Sequence, residues 1–101
     1  MGPGFNERIY HNALRLLFDQ NGLKYETEKG FEISYSDRKV GSFRADLVVE
    51  DKVIVEIKSL SGNIPTIFEH QLLSYLKASG LHGGLLINFG NRSCQVERVV
   101  F

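Results

Sequence analysis

The chain is 101 residues long, 43% apolar and 24% charged, with twelve basic and twelve acidic side chains. That is the length of one domain with a single modest core, and its cancelling charge excludes a global pull towards nucleic acid or membrane, so any phosphate binding must come from a local patch. The lone Cys94 excludes an internal disulfide and a cysteine-based zinc or iron–sulfur centre; no stretch is long enough to span a bilayer, and a reducing, cytoplasmic setting is expected.

Gly2-Pro3-Gly4 reads as an irregular entry. The apolar spacing then predicts a helix from Phe5 to Asn21, with Gly22 as its stop signal. On the helical wheel Glu7 falls between Leu14 and Phe18, near Tyr10, while Arg8, Asn12, Arg15 and Asp19 form the polar arc. A carboxylate on an apolar stripe is costly to bury without a partner. Equally, a first-turn acid is favoured by the helix dipole, and the helix alone does not separate these two readings. Phe31, Ile33 and Tyr35 alternate with polar residues, as a half-buried strand does. Ser36 to Lys39 reads as a turn, and a hairpin follows from Ser42 to Lys58.

The register of that hairpin carries most of the information. Side chains alternate across a strand, so Ala45, Leu47 and Val49 are expected on one face, opposite Val53, Val55 and Ile57. Aligning both sets on one core requires an odd loop, Glu50-Asp51-Lys52. Counting back, Val49 faces Val53, Leu47 faces Val55 and Ala45 faces Ile57. On the other face Val48 meets Ile54, Asp46 meets Glu56, and Arg44 meets Lys58. Directly opposed carboxylates repel, and a hard divalent cation such as Mg²⁺ between them would reverse that sign. The plainer reading is a wet face with Lys58 neutralising Glu56. Val48 and Ile54 on the same face weaken it.

Ser61-Gly62-Asn63 is a loop, and a second helix is expected from Pro65 to Ser79, before Gly80. Gln71 interrupts its apolar positions Ile67, Phe68, Tyr75 and Ala78, and projects with Tyr75 one turn later. Either Gln71 caps backbone at the helix–sheet junction or it belongs to the group formed by Glu7, Asp46, Glu56 and Lys58, all of which break the apolar pattern of their elements. Leu85-Leu86-Ile87, within Gly84 to Phe89, reads as a strand buried on both faces, and Gln95 to Phe101 as an edge strand. The order is αβββαββ: one domain, an α/β fold with a mixed sheet flanked by helices and a right-handed crossover through the second helix. His11, His70, His82 and Cys94 show no partner at ligand or catalytic spacing, and no phosphate-cradling glycine motif is present.

Asp46 followed by Glu56-Ile57-Lys58 on the next strand resembles the PD-(D/E)XK nuclease signature, with Ala45 in place of the proline. Gln71-Leu72-Leu73-Ser74-Tyr75 matches the QxxxY helix of RecB-type exonucleases, and Gly4-Phe5-Asn6-Glu7-Arg8-Ile9-Tyr10 matches the GxxExxY motif of a small family in that superfamily. The resemblance extends through "FRADLVVEDKVIVEIK", "HQLLSYLKASGL" and "GLLINFG". It implies a restriction-endonuclease-like sheet and metal-dependent phosphodiester hydrolysis, in DNA before RNA. It further implies Mg²⁺ or Mn²⁺ held by Asp46, Glu56 and the Ile57 carbonyl, with Glu7 reaching the same ion. Lys58 would orient the attacking water or stabilise developing charge, Gln71 would position Lys58 or the nucleophile, and Tyr75 would brace the helix or touch substrate. Arg44 is either an adjacent phosphate contact or a surface strand residue. A non-catalytic nucleic-acid-binding module and a protein-interaction domain use the same fold. A homodimer would bury further apolar surface or span a duplex.

Overall fold

The computed structural model describes residues 6–101; Gly2-Pro3-Gly4 and the expected helix start at Phe5 lie outside them. Helix α1 (Glu7–Gln20) begins where Asn6, in extended conformation, accepts the Ile9 amide on its side-chain oxygen at 3.1 Å, which satisfies one of the orphan donors of the first turn. It ends where Gly22 takes φ 68° and the Leu23 amide returns to the Phe18 carbonyl at 3.0 Å. The strands are β1 (Tyr25–Tyr35), β2 (Arg38–Val49), β3 (Val53–Lys58), β4 (Gly83–Asn88) and β5 (Gln95–Val100), with α2 (Thr66–Ser79) between β3 and β4. The sheet order is β1-β2-β3-β4-β5, antiparallel except for β3 against β4. The α/β class, the mixed flanked sheet and the αβββαββ order are therefore as expected, and β5 is an edge.

The first hairpin is longer than the apolar pattern indicates. β1 begins at Tyr25 rather than Phe31, and β2 at Arg38 rather than Ser42. The turn is only Ser36-Asp37, both at positive φ, the geometry that matches strand twist in two-residue hairpins. At the second hairpin Val49 faces Val53, Val48 faces Ile54 and Leu47 faces Val55, around Glu50, Asp51 and Lys52 as expected. There the β2–β3 ladder stops. Ala45/Ile57, Asp46/Glu56 and Arg44/Lys58 are not ladder pairs, which corrects the register expected for the end of the hairpin.

Two apolar layers flank the sheet. Phe43, Ala45, Val48, Ile54, Ile64, Leu72, Leu76 and Leu86 pack under α2, and Tyr10, Leu47, Val55, Ile57 and Ile87 under α1. Full burial of a side chain such as Leu72 contributes about 1.5–3 kcal/mol. β3 and β4 are buried on both faces, Ile54 and Leu86 towards α2, Val55 and Ile87 towards α1. Ala45 and Leu47, expected on one face, lie in different layers. β1 does the same: Tyr25 packs on the α1 side, Phe31 and Ile33 on the α2 side. Both strands switch face at one point. Thr27 pairs with Leu47 and Lys29 with Ala45, but the pair between them, Glu28 and Asp46, is skipped, and Glu28 takes φ 49°. An irregularity of this kind sharpens local twist. It curls the hairpin over α2, where Phe43 stacks between Phe31 (5.0 Å) and Tyr75 (3.9 Å).

Candidate active site

The interruption at Asp46 builds the site. With no ladder partner beyond Leu47/Val55, the Ile57 amide donates to Asp46 Oδ2 at 2.8 Å. A side chain thus replaces a backbone acceptor, and the carboxylate is fixed in the seam between β2 and β3. Glu56, on β3, is 7% exposed. Its Oε1 is buried with no hydrogen-bond partner. Burial, then the neighbouring Asp46 charge, push the Glu56 carboxyl up to about 8, while Lys58 pulls the other way. Burial and the charges of Glu56 and Asp46 also raise the Tyr75 hydroxyl, so α2 presents Tyr75 to the same carboxylates.

Lys58 makes no ion pair with either acid; its ammonium sits 4.5 Å from the centroid of the Phe68 ring on α2. The simple neutralising pair with Glu56 is therefore absent. The backbone just after Lys58 is clamped by Asn88, which is fully buried. Asn88 accepts from the Leu60 amide at 2.8 Å and from Gly90 at 3.0 Å, and donates to the Leu60 carbonyl at 2.9 Å. The Phe89 amide reaches the Lys58 carbonyl at 2.9 Å, and the Phe89 ring stacks on the buried Tyr10 of α1 at 4.2 Å. A side chain added at Gly90 would run into the Leu60 backbone. Asn88→Leu strands three backbone groups at once. It is expected to cost about 2–4 kcal/mol, measured as a lower urea midpoint at unchanged slope; an unaltered midpoint would show the clamp to be dispensable.

The other expected residues fall at graded distances from this centre. Glu7 is exposed and lines a hollow of about 160 Å³ with Arg8, His11, Glu28, Asp46 and Ile57. Among the described residues no three His, Cys, Asp or Glu side chains form a group that could hold a metal, so Glu7 stands at the rim beside the Asp46–Glu56 pair. Gln71 is exposed, not part of a buried stripe: α2 buries Leu72 and Leu76, leaving Ile67 and Ala78 outside. Arg44 is exposed and faces Gly30 across β1–β2, rather than Lys58. Sequence reasoning missed Glu28, Asn88 and His11 as neighbours of the site. Asn88 was detectable as an amide closing the Leu85-Leu86-Ile87 run, whereas no sequence signal marks Glu28, because residues 26–30 carry no apolar alternation to break.

Whether a cation suits this centre follows from its donors. Two neighbouring carboxylates, one with a buried oxygen lacking any partner, require a proton or a hard cation, and Mg²⁺ and Mn²⁺ take carboxylate oxygens. The residues fit such an ion.

The domain is thus a mixed α/β sheet whose interrupted strand pair presents two acids and a following lysine on the side of the helix that joins β3 to β4. A family model described as the PD-(D/E)XK nuclease superfamily matches residues 1–99, and the chain belongs to that superfamily. It is similar to a solved structure described as the crystal structure of SSO0001, with 24% identity and a TM-score of 0.71 over 93% of this chain. This chain spans 50% of that one, and the likeness is one of fold. A search of curated proteins finds no significant match.

Proposed function

We propose that this protein is a Mg²⁺- or Mn²⁺-dependent nuclease that hydrolyses phosphodiester bonds in DNA, with RNA the lesser substrate, and that it belongs to the GxxExxY branch of the superfamily. The observation that carries the reading is the unpartnered, buried Glu56 Oε1 beside the Asp46 carboxylate. Membership of a nuclease superfamily supports a nucleic-acid substrate.

In this reading Asp46, Glu56 and the Ile57 carbonyl hold the ion, with Glu7 joining from the rim. The bound ion supplies an acidified water and charge neutralisation at the scissile phosphate. The protein supplies the rest. Asp46 is held in place by the Ile57 amide. Lys58, resting on Phe68, swings its ammonium to the attacking water or a phosphate oxygen. Tyr75, stacked on Phe43, braces α2 against the carboxylates. Gln71 presents its amide from the same flank of α2, and Arg44 takes an outlying phosphate. Exposed Leu16, Leu17, Val96, Val100 and Phe101 support a homodimer, and the exposed thiol of Cys94 supports a reducing, cytoplasmic setting.

The test is incubation of labelled single- and double-stranded DNA with the pure protein in Mg²⁺, Mn²⁺ or EDTA. Cleavage in either metal and none in EDTA is expected. Binding without cleavage would replace the enzyme by a nucleic-acid-binding module, and neither binding nor cleavage by a protein-interaction domain.

A further inference from the structure

Resting on the nuclease reading, the geometry points to the furrow between α1 and β1 as the track for one strand of the substrate, with Arg8 and Arg15 as its phosphate contacts. Two hollows lie end to end there. The first, of about 160 Å³, holds Asp46 and Ile57 with Glu7, Arg8, His11 and Glu28. The second, of about 90 Å³, continues along the helix between Asn12, Arg15 and Thr27, and shares Arg8, His11 and Glu28 as walls. Arg8, His11, Asn12 and Arg15 have the spacing of a single helix face, so one side of α1 leads directly away from the carboxylate pair.

Three observations make this face a binding surface rather than ordinary solvated polarity. Of the exposed lysines and arginines that form no ion pair among the described residues, Arg8 and Arg15 are the ones that line these hollows. His11, whose Nε2 is buried without a hydrogen-bond partner, forms part of the wall that both hollows share. The chain has no net charge, so substrate must be captured by a local set of free cations, and these two adjoin the site. Liquid water takes about 30 Å³ per molecule, so each hollow has room for roughly three to five waters. That is room for phosphate groups. Seven residues at 1.5 Å rise separate the arginines by about 10 Å, which suits two phosphates rather than one. Glu28 opposes a bare anion in this wall; a phosphate here enters together with the cation that neutralises the acids.

The test is fluorescence anisotropy of a labelled single-stranded oligonucleotide over a salt series, with Ca²⁺ replacing Mg²⁺, beside the cleavage assay in Mg²⁺. Arg8→Gln with Arg15→Gln removes two phosphate contacts. The slope of log K against log salt should become shallower by about 1.4. Lys52→Gln with Arg98→Gln, exposed and outside the furrow, removes the same charge and should leave the slope alone. Thermal melts confirm that both pairs fold. An unchanged slope in the Arg8/Arg15 variant, or an equal fall in the control, overturns the track even if the wild type cleaves. An arginine-dependent slope without cleavage keeps the track and removes the nuclease. No binding by the wild type removes the track, and no cleavage beside it removes the nuclease as well.

Discussion

Asp46→Asn is expected to lower metal-dependent DNA cleavage by at least roughly 10²–10³-fold, the usual cost of one preorganised charge at a reacting centre, and to leave the fold intact. The two halves have separate causes. Asparagine keeps a side-chain oxygen to accept the Ile57 amide, now held at 2.8 Å, so the β2–β3 seam stays closed. It loses the negative charge that would hold a hard cation with Glu56. Asp46→Ala serves as the contrast, because it also breaks the hydrogen bond and should cost a further ~1 kcal/mol of stability. Lys58→Ala should slow cleavage to a similar degree without weakening metal binding, since the ammonium rests on Phe68, forms no ion pair with the acids, and as a cation can only oppose a bound cation. Single-turnover rates in Mg²⁺, with circular dichroism melts of each variant, read all of this. An Asp46→Asn protein that cuts at the wild-type rate would take this carboxylate out of the chemistry.

Glu56→Gln should stabilise the metal-free protein at alkaline pH while abolishing cleavage. Glu56 titrates near 8 in the folded chain against 4.5 for the free side chain, because burial and Asp46 disfavour its charged form. The folded state therefore holds a proton that the unfolded state has released. Stability is greatest below about pH 4.5 from this group, declines as pH rises, and levels off above about 8. At 1.36 kcal/mol per unit the full swing is at most ~5 kcal/mol, a large share of the 5–15 kcal/mol typical of a domain. Glutamine carries no charge to desolvate, so the variant should lack this decline. Urea midpoints in EDTA between about pH 5 and 9 measure it. If the ionised pair takes Mg²⁺ as proposed, the ion should restore wild-type stability at the alkaline end, with a smaller gain for glutamine. A wild type that grows more stable across that window would refute the buried-charge account.

The two helices and the second hairpin were legible because their signals are local. Val49, Val53 and the three residues between them specify a loop length, and loop length specifies register. The isolated acids at 46 and 56 stood out against valine-rich neighbours. Gln71 was misplaced because α2 has apolar residues around much of its circumference, so a wheel offers little contrast between its sheet face and its flank. Residues 25–30 escaped recognition as strand because polar side chains dominate them.

By itself the sequence determined the element order, the loop that aligns β2 with β3, and the set of carboxylates and lysine that depart from the apolar pattern. Only the tertiary structure decided that Ala45 and Leu47 face opposite layers, that Asp46 takes the Ile57 amide in place of a ladder bond, and that Asn88 secures the chain after Lys58. The reason is physical. Periodicity records which side chains one element buries, but a concerted face switch in two paired strands is set by how the sheet must twist to cover α2, and that depends on every layer at once.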